Sequence, residues 1–219
     1  LTSNQVKSGT LIDVEGDLMK RLGTSRATLR EGLRLLEVLG VVESRIGRHG
    51  GVVVQRPQAP DFAHIVTFYL QFTSTTYRQL VEANAEISPI VVGIAAREAT
   101  PQDRSALGAL MAEFARLEPE QQVRSIPRIT ELIIQTLPNP IWQLFAESIH
   151  LVVRRRLDQL LVPEPMWPVA INNAVKLATA VGRGDAAAAA RYSRAQAQGW
   201  LDIANRYQPD LLDSMIVWD

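Results

Sequence analysis

At 219 residues, 47% hydrophobic and 21% charged, the chain has the composition of a folded globular protein with room for two modest domains. Its 23 basic side chains balance 23 acidic ones, which argues against a surface coated throughout with nucleic acid. The absence of cysteine excludes disulfides, thiolate metal sites and thiol catalysis, and no apolar run approaches the roughly 18 residues of a membrane span. With no signal peptide in view, the expectation is a cytoplasmic location without membrane contact.

The charge is unevenly placed. Residues 1–56 hold nine basic against six acidic side chains, and the remainder carries the opposite surplus of three. A basic small domain on an acidic larger one suits a DNA module joined to a sensor. In chain order, residues 13–22 predict a short helix, with Asp13 as its cap and Leu18 and Leu22 spaced for packing. Gly23 supplies a left-handed corner into a second helix capped by Ser25. Leu29, Leu33 and Leu36 recur at i, i+4 and i+7, so one face is buried, while Arg26, Thr28, Arg30 and Arg34 fall off that stripe. Such a helix offers hydroxyl and guanidinium groups near its start, which suits the major groove. Residues 41–46 and 51–55 are β-rich and flank a glycine-bounded hairpin tip at 47–50. The order is a winged helix-turn-helix, with Arg45, Arg48, His49 and Gly50 on the wing near a phosphate backbone or minor groove.

Residues 9–54 resemble the DNA-binding domain of the GntR family of bacterial transcription regulators. The resemblance rests on Gly9 approaching Glu15, on Ser25-Arg26-x-Thr28-Leu29-Arg30-Glu31, and on Leu36-Glu37-x-x-Gly40-Val41-Val42 running into the wing. It implies that Ser25, Arg26, Thr28 and Arg30 touch DNA, assisted by wing residues around Gly47. Many relatives carry a basic residue straight after the approach glutamate; here Gly16 stands there, so one contact available to them is missing. A helix precedes this segment in such relatives, and only residues 1–8 stand before it here, so a missing first helix is expected.

The two prolines of residues 57–60 mark a linker between a domain at 1–56 and one at 61–219, with Asp61 expected to cap the next helix. Helices are predicted near 61–73, 76–98, 101–117, 122–136, 140–161, 166–183 and 185–206, broken by proline or glycine pairs. Leu80, Ile87, Val91 and Ile94 form one expected core face, and Leu107, Leu110, Phe114 and Leu117 another. The alanine run 186–190 is read as strong helix former after an Asp185 cap. The fold class is therefore mainly α: a winged head plus an all-α bundle. Residues 76–200 resemble the all-helical FCD domain of the FadR-type GntR subfamily, through Leu80-Val81-Glu82-Ala83, Ile129-Thr130-x-x-Ile133 and Ala180-Val181-x-x-Gly184-Asp185.

Many FCD domains hold a divalent metal through one aspartate and three histidines. Carried across by that resemblance, the four positions fall on Ile126, Thr130, Ala174 and Gln196, none a credible ligand for zinc or nickel. The pocket is expected to be free of metal and cofactor, more apolar than its relatives, and suited to a fatty acyl thioester or other apolar acid, or to a sterol-like metabolite. Thr130, Asn173 and Gln196 are its candidate polar groups, and Arg154, in the run 154–156, the candidate grip for an acidic head. The reading is a homodimeric regulator, a repressor, that binds double-stranded DNA at a near-palindromic operator and answers a small-molecule effector. The alternatives are a metal-dependent sensor of small carboxylates from the same family, or a helical ligand-binding or scaffold protein that does not bind DNA. No nucleophile elbow, phosphate loop or clustered His/Asp/Glu set supports an enzyme.

Overall fold

A three-residue strand that the sequence pattern did not reveal organises the head. The computed structural model describes residues 7–45, 47, 50–157 and 162–217, with only the backbone at 156 and 157. The strand β1 (Leu11–Asp13) leads into helices α1 (Glu15–Leu22) and α2 (Arg26–Val38), followed by β2 (Val42–Arg45) and β3 (Gly51–Val54). The strands form an antiparallel sheet in the order β1-β3-β2, with Leu11 opposite Val53 and Val42 opposite Val54. The helix-turn-helix and its hairpin wing are thus closed by a third strand. Leu11-Ile12-Asp13 is too short to show an alternation, so only pairing defines it.

Leu18, Leu29, Leu33, Val42 and Val52 are buried together between helices and sheet, with Leu36 partly buried against them. Leu22 does not pack as its spacing suggested: it is 61% exposed, because the chain turns away at once. Gly23 makes that turn at φ 61°, and its N–H donates to the carbonyl of Lys20. Asp13 does not cap α1 either; the helix starts one residue later, from Val14, and the Asp13 carboxylate accepts from Val14 N–H and Arg21 instead.

The chain divides into two compact units, Leu1–His64 and Ile65–Asp219. The division falls within α3 (Ala59–Phe72), which begins two residues before the expected start. Asp61 lies inside its first turn and reaches back to accept from Gln58 N–H at 2.7 Å, so it serves the helix start from the third position rather than the cap.

The second unit contains α4 (Tyr77–Glu98), α5 (Pro101–Phe114), α6 (Pro119–Gln135), α7 (Pro140–Leu157), a 3₁₀ turn at Glu164–Met166, α8 (Trp167–Arg183), α9 (Ala186–Tyr207) and α10 (Pro209–Asp213). Thr76 and Thr100 open α4 and α5 with reciprocal capping boxes, and Gly184 at φ 75° ends α8. The core joins Val91, Ala95 and Ala96 of α4, Leu107 and Phe114 of α5, Ile126, Ile129 and Ile133 of α6, and Leu177 and Val181 of α8. Ile87 departs from the expected stripe and is 48% exposed. The alanine run has a packing role beyond helix propensity: Ala189 is fully buried, and Gly93 lies against Ala186 and Ala190, so α4 and α9 approach closely.

Two glycines separate strain from propensity. Gly40 has φ 67° and a Cβ there would run into the Asp61 carboxylate, whereas Gly108 on α5 faces open space with ordinary torsions. Gly40→Ala is expected to cost about 1–3 kcal/mol and Gly108→Ala to stabilise by about 0.5–1 kcal/mol, measured by urea denaturation.

Candidate DNA-reading face and ligand cavity

The opening of α2 is organised by one hydroxyl. Ser25 Oγ accepts from Thr28 N–H at 3.2 Å and lies 2.9 Å from Thr28 Oγ1, so both expected contact residues also fix the start of the helix. Leu29 and Leu33 are buried beneath, which leaves Ser25, Arg26, Thr28 and Arg30 exposed on the opposite side. Arg26 makes no ion pair among the described residues, while Arg30 Nε lies 3.2 Å from Glu15 Oε2 on α1. Glu15 is legible in the sequence only as part of a motif; the structure places its carboxylate against the Arg30 guanidinium. At the other end of α2, Glu37 accepts from Ser44 N–H at 2.9 Å and so ties the helix to β2.

On the wing, Arg45 pairs with Glu43 at 3.1 Å, and Glu43 also accepts from Gln55. These two bonds, Arg45 first, hold the Glu43 carboxyl below the usual carboxylate range. Gly50 closes the turn with its N–H on the carbonyl of Gly47, so its backbone donor is spent within the hairpin rather than offered outward. Arg48 and His49 lie outside the described residues.

In the second unit a cavity of about 630 Å³ opens between α4, α6, α7, α8 and α9. Its apolar wall includes Val92, Val123, Ile126, Val153 and Leu177, with the indoles of Trp167 and Trp200. Trp167 is pinned by its Nε1–H, which donates to the carbonyl of Val162 at 2.9 Å. Thr130, Arg154 and Gln196, all expected at a binding site, line this one space. Asn173 does not line it: half-buried on α8, it is one residue out of phase with Ala174, whose side chain packs in the core. Sequence reasoning missed Asn84 and Ser88, which stand four apart on α4 and repeat at Val92 along one face, and missed His150 on α7.

Ile126, Thr130 and Gln196, three of the four positions that a metal-holding relative would use, thus converge on the cavity, and Ala174 lies in the adjoining core. Their side chains offer one hydroxyl and one amide, a donor set that does not fit zinc or nickel. No group of three or more His, Asp or Glu side chains suited to a metal occurs among the described residues.

The charges at the cavity are already paired. Arg154 is held by Glu131 of α6, and Arg124 by Glu120 at 2.7 Å near the mouth. Arg154 thus reaches the cavity with one guanidinium nitrogen already held by Glu131, so an acidic head there would share the guanidinium with that carboxylate or displace it. Glu147 of α7 is half-buried, and burial first, then the like charge of Glu131, push its carboxyl above the ordinary range. The folded state then holds this proton more tightly than the unfolded chain does. Its stabilising effect is complete below the unfolded value and is lost as pH rises through the folded one. Glu147→Gln should therefore raise the melting temperature at pH 7.5, and the gain should vanish below about pH 4, read by thermal unfolding across pH.

Residues 79–198 match the FCD domain family. The chain is 33% identical over 104 residues to an uncharacterized HTH-type transcriptional regulator of Mycobacterium tuberculosis, covering 47% of this chain and 42% of that one. It is 30% identical over 124 residues to a protein of Mycobacterium gastri named as an HTH-type transcriptional regulator, RmpR, covering 56% and 45%. The chain thus spans less than half the length of these curated relatives in the matches. Among solved structures, a GntR protein of Streptococcus agalactiae superposes with a TM-score of 0.59 at 16% identity, over 89% of this chain and 90% of that one, a likeness of fold. No helix among the described residues is long and apolar enough to cross a membrane.

Proposed function

The chain belongs to the FCD domain family, and on that premise we propose that it is a GntR-type transcription regulator of FadR-like organisation whose DNA binding answers a small molecule. The observation that carries the reading is the Ser25-capped helix that buries Leu29 and Leu33 and turns Arg26, Thr28 and Arg30 outward. The names of the two mycobacterial relatives support it. In this reading the protein works in the cytoplasm as a homodimer, places two such helices in successive major grooves of a near-palindrome, and acts as a repressor. Residues 1–56 form the reading head and residues 61–219 the effector and dimerisation domain.

The effector occupies the cavity lined by Thr130 and Gln196. It acts by binding the DNA-competent and DNA-incompetent arrangements with different affinity, typically by about 1–3 kcal/mol. The candidate from the sequence, a fatty acyl thioester or other apolar acid, meets apolar walls but finds Arg154 occupied by Glu131. Arg30 must leave Glu15, or share its guanidinium with it, to reach a base edge.

The test uses a duplex that the wild-type protein selects from a random pool. Arg30→Ala should lose about 1–3 kcal/mol of affinity for that site and relax its base preference. Arg48→Ala should weaken binding to all sequences alike and lower the slope of log affinity against log salt by about one. Wild-type binding by Arg30→Ala would refute the recognition helix. Affinity indifferent to salt would favour the scaffold alternative. For the metal-dependent alternative the measurement is thermal unfolding with and without EDTA: the donor set predicts no change, and a marked fall would restore that alternative.

A further inference from the structure

The cavity in the second unit carries more chemical information than its size. Each of its arginines already has a carboxylate beside it: Arg154 pairs with Glu131, and Arg124 with Glu120. Its acceptors are not all so matched. Gln196 Oε1 is buried with no hydrogen-bond partner, in a residue that lines the space. Pro127, also on the wall, has no N–H, so the carbonyl of Val123 one turn earlier lacks the donor that a regular helix would supply. Buried acceptors without donors are costly, and a guest that brings O–H or N–H removes that cost.

We infer that the cavity takes an uncharged, ring-containing molecule bearing a hydroxyl or amide N–H, stacked against Trp167 and Trp200 and donating to the Gln196 carbonyl oxygen. A carboxylate has no proton to donate to the Gln196 oxygen, and would have to compete with Glu131 for Arg154. An ammonium would bury a full charge with no unpaired carboxylate in the lining to receive it. The neutral donor meets neither obstacle. Planar rings suit the two indoles, one of them fixed in place by its bond to Val162.

This inference rests on the cavity being the effector site, and its test reads binding to the protein directly, without DNA. A regulator with another kind of ligand and a ligand binder without a DNA response then give different results. Equilibrium dialysis at pH 7 compares four probes of one ring system: 2-naphthol, 2-methoxynaphthalene, 2-naphthoate and 2-naphthylmethylammonium. The expected result is saturable binding of 2-naphthol, with each of the others weaker by about tenfold or more. Gln196→Leu should erase the preference of 2-naphthol over its methyl ether. Glu131→Gln should free Arg154 and strengthen 2-naphthoate binding by about tenfold. The inference is overturned if 2-naphthol does not saturate, if its methyl ether matches it, or if 2-naphthoate or the ammonium binds wild type as tightly. The four wild-type affinities decide the matter even if a variant fails to fold.

Discussion

The close approach of α4 and α9 is the constraint on which the second unit depends. Gly93 on one helix faces Ala186 and Ala190 on the other, and Ala95, Ala96 and Ala189 are fully buried. Small side chains let two long helices lie backbone to backbone, where dispersion contacts are dense and little side-chain entropy is lost. Further along the same pair, Ser88 and Ser193 bridge the helices at 3.1 Å, and beyond them Asn84, Gln196 and Trp200 face the cavity. One helix pair thus supplies a tight end that fixes geometry and an open end that can hold a guest.

The residues that the resemblance aligns with a metal site differ in chemistry but not in place. Ile126, Thr130 and Gln196, the positions that the resemblance would assign to metal ligands, meet at one space. What remains there is hydrogen bonding and apolar surface, so specificity must come from the match of donors to acceptors. Arg154 offsets the charge of Glu131 at the contact between α6 and α7, while burial and Glu131 push the neighbouring Glu147 carboxyl above the ordinary range.

In the head, contact residues and supporting residues are hard to separate. Ser25 and Thr28 build the helix start that they would also present to DNA. Glu15 reaches Arg30 from the preceding helix, and Glu37 ties the far end of the same helix to the wing. This face of α2 is therefore held at both ends by side chains of the motif itself, which would lower the ordering cost of meeting a groove.

The sequence alone determined seven helices of the bundle, though not that α5 ends at Phe114, that α6 starts at Pro119 or that α10 follows, together with the Gly23 corner and the exposed face of α2, because these follow from local torsions, caps and a 3.6-residue period that neighbours in the chain suffice to set. It also indicated that Thr130 and Gln196 share a site, through a resemblance rather than through any spacing of their own. Only the tertiary structure decided that Leu11–Asp13 is a strand, that Leu22 and Ile87 face outward, that Asn173 lies off the cavity and that Arg154 belongs to Glu131. The strand, the place of Asn173 and the pairing of Arg154 depend on partners far away in sequence, and pairing across such distances is set by packing and charge in three dimensions, which no single segment encodes.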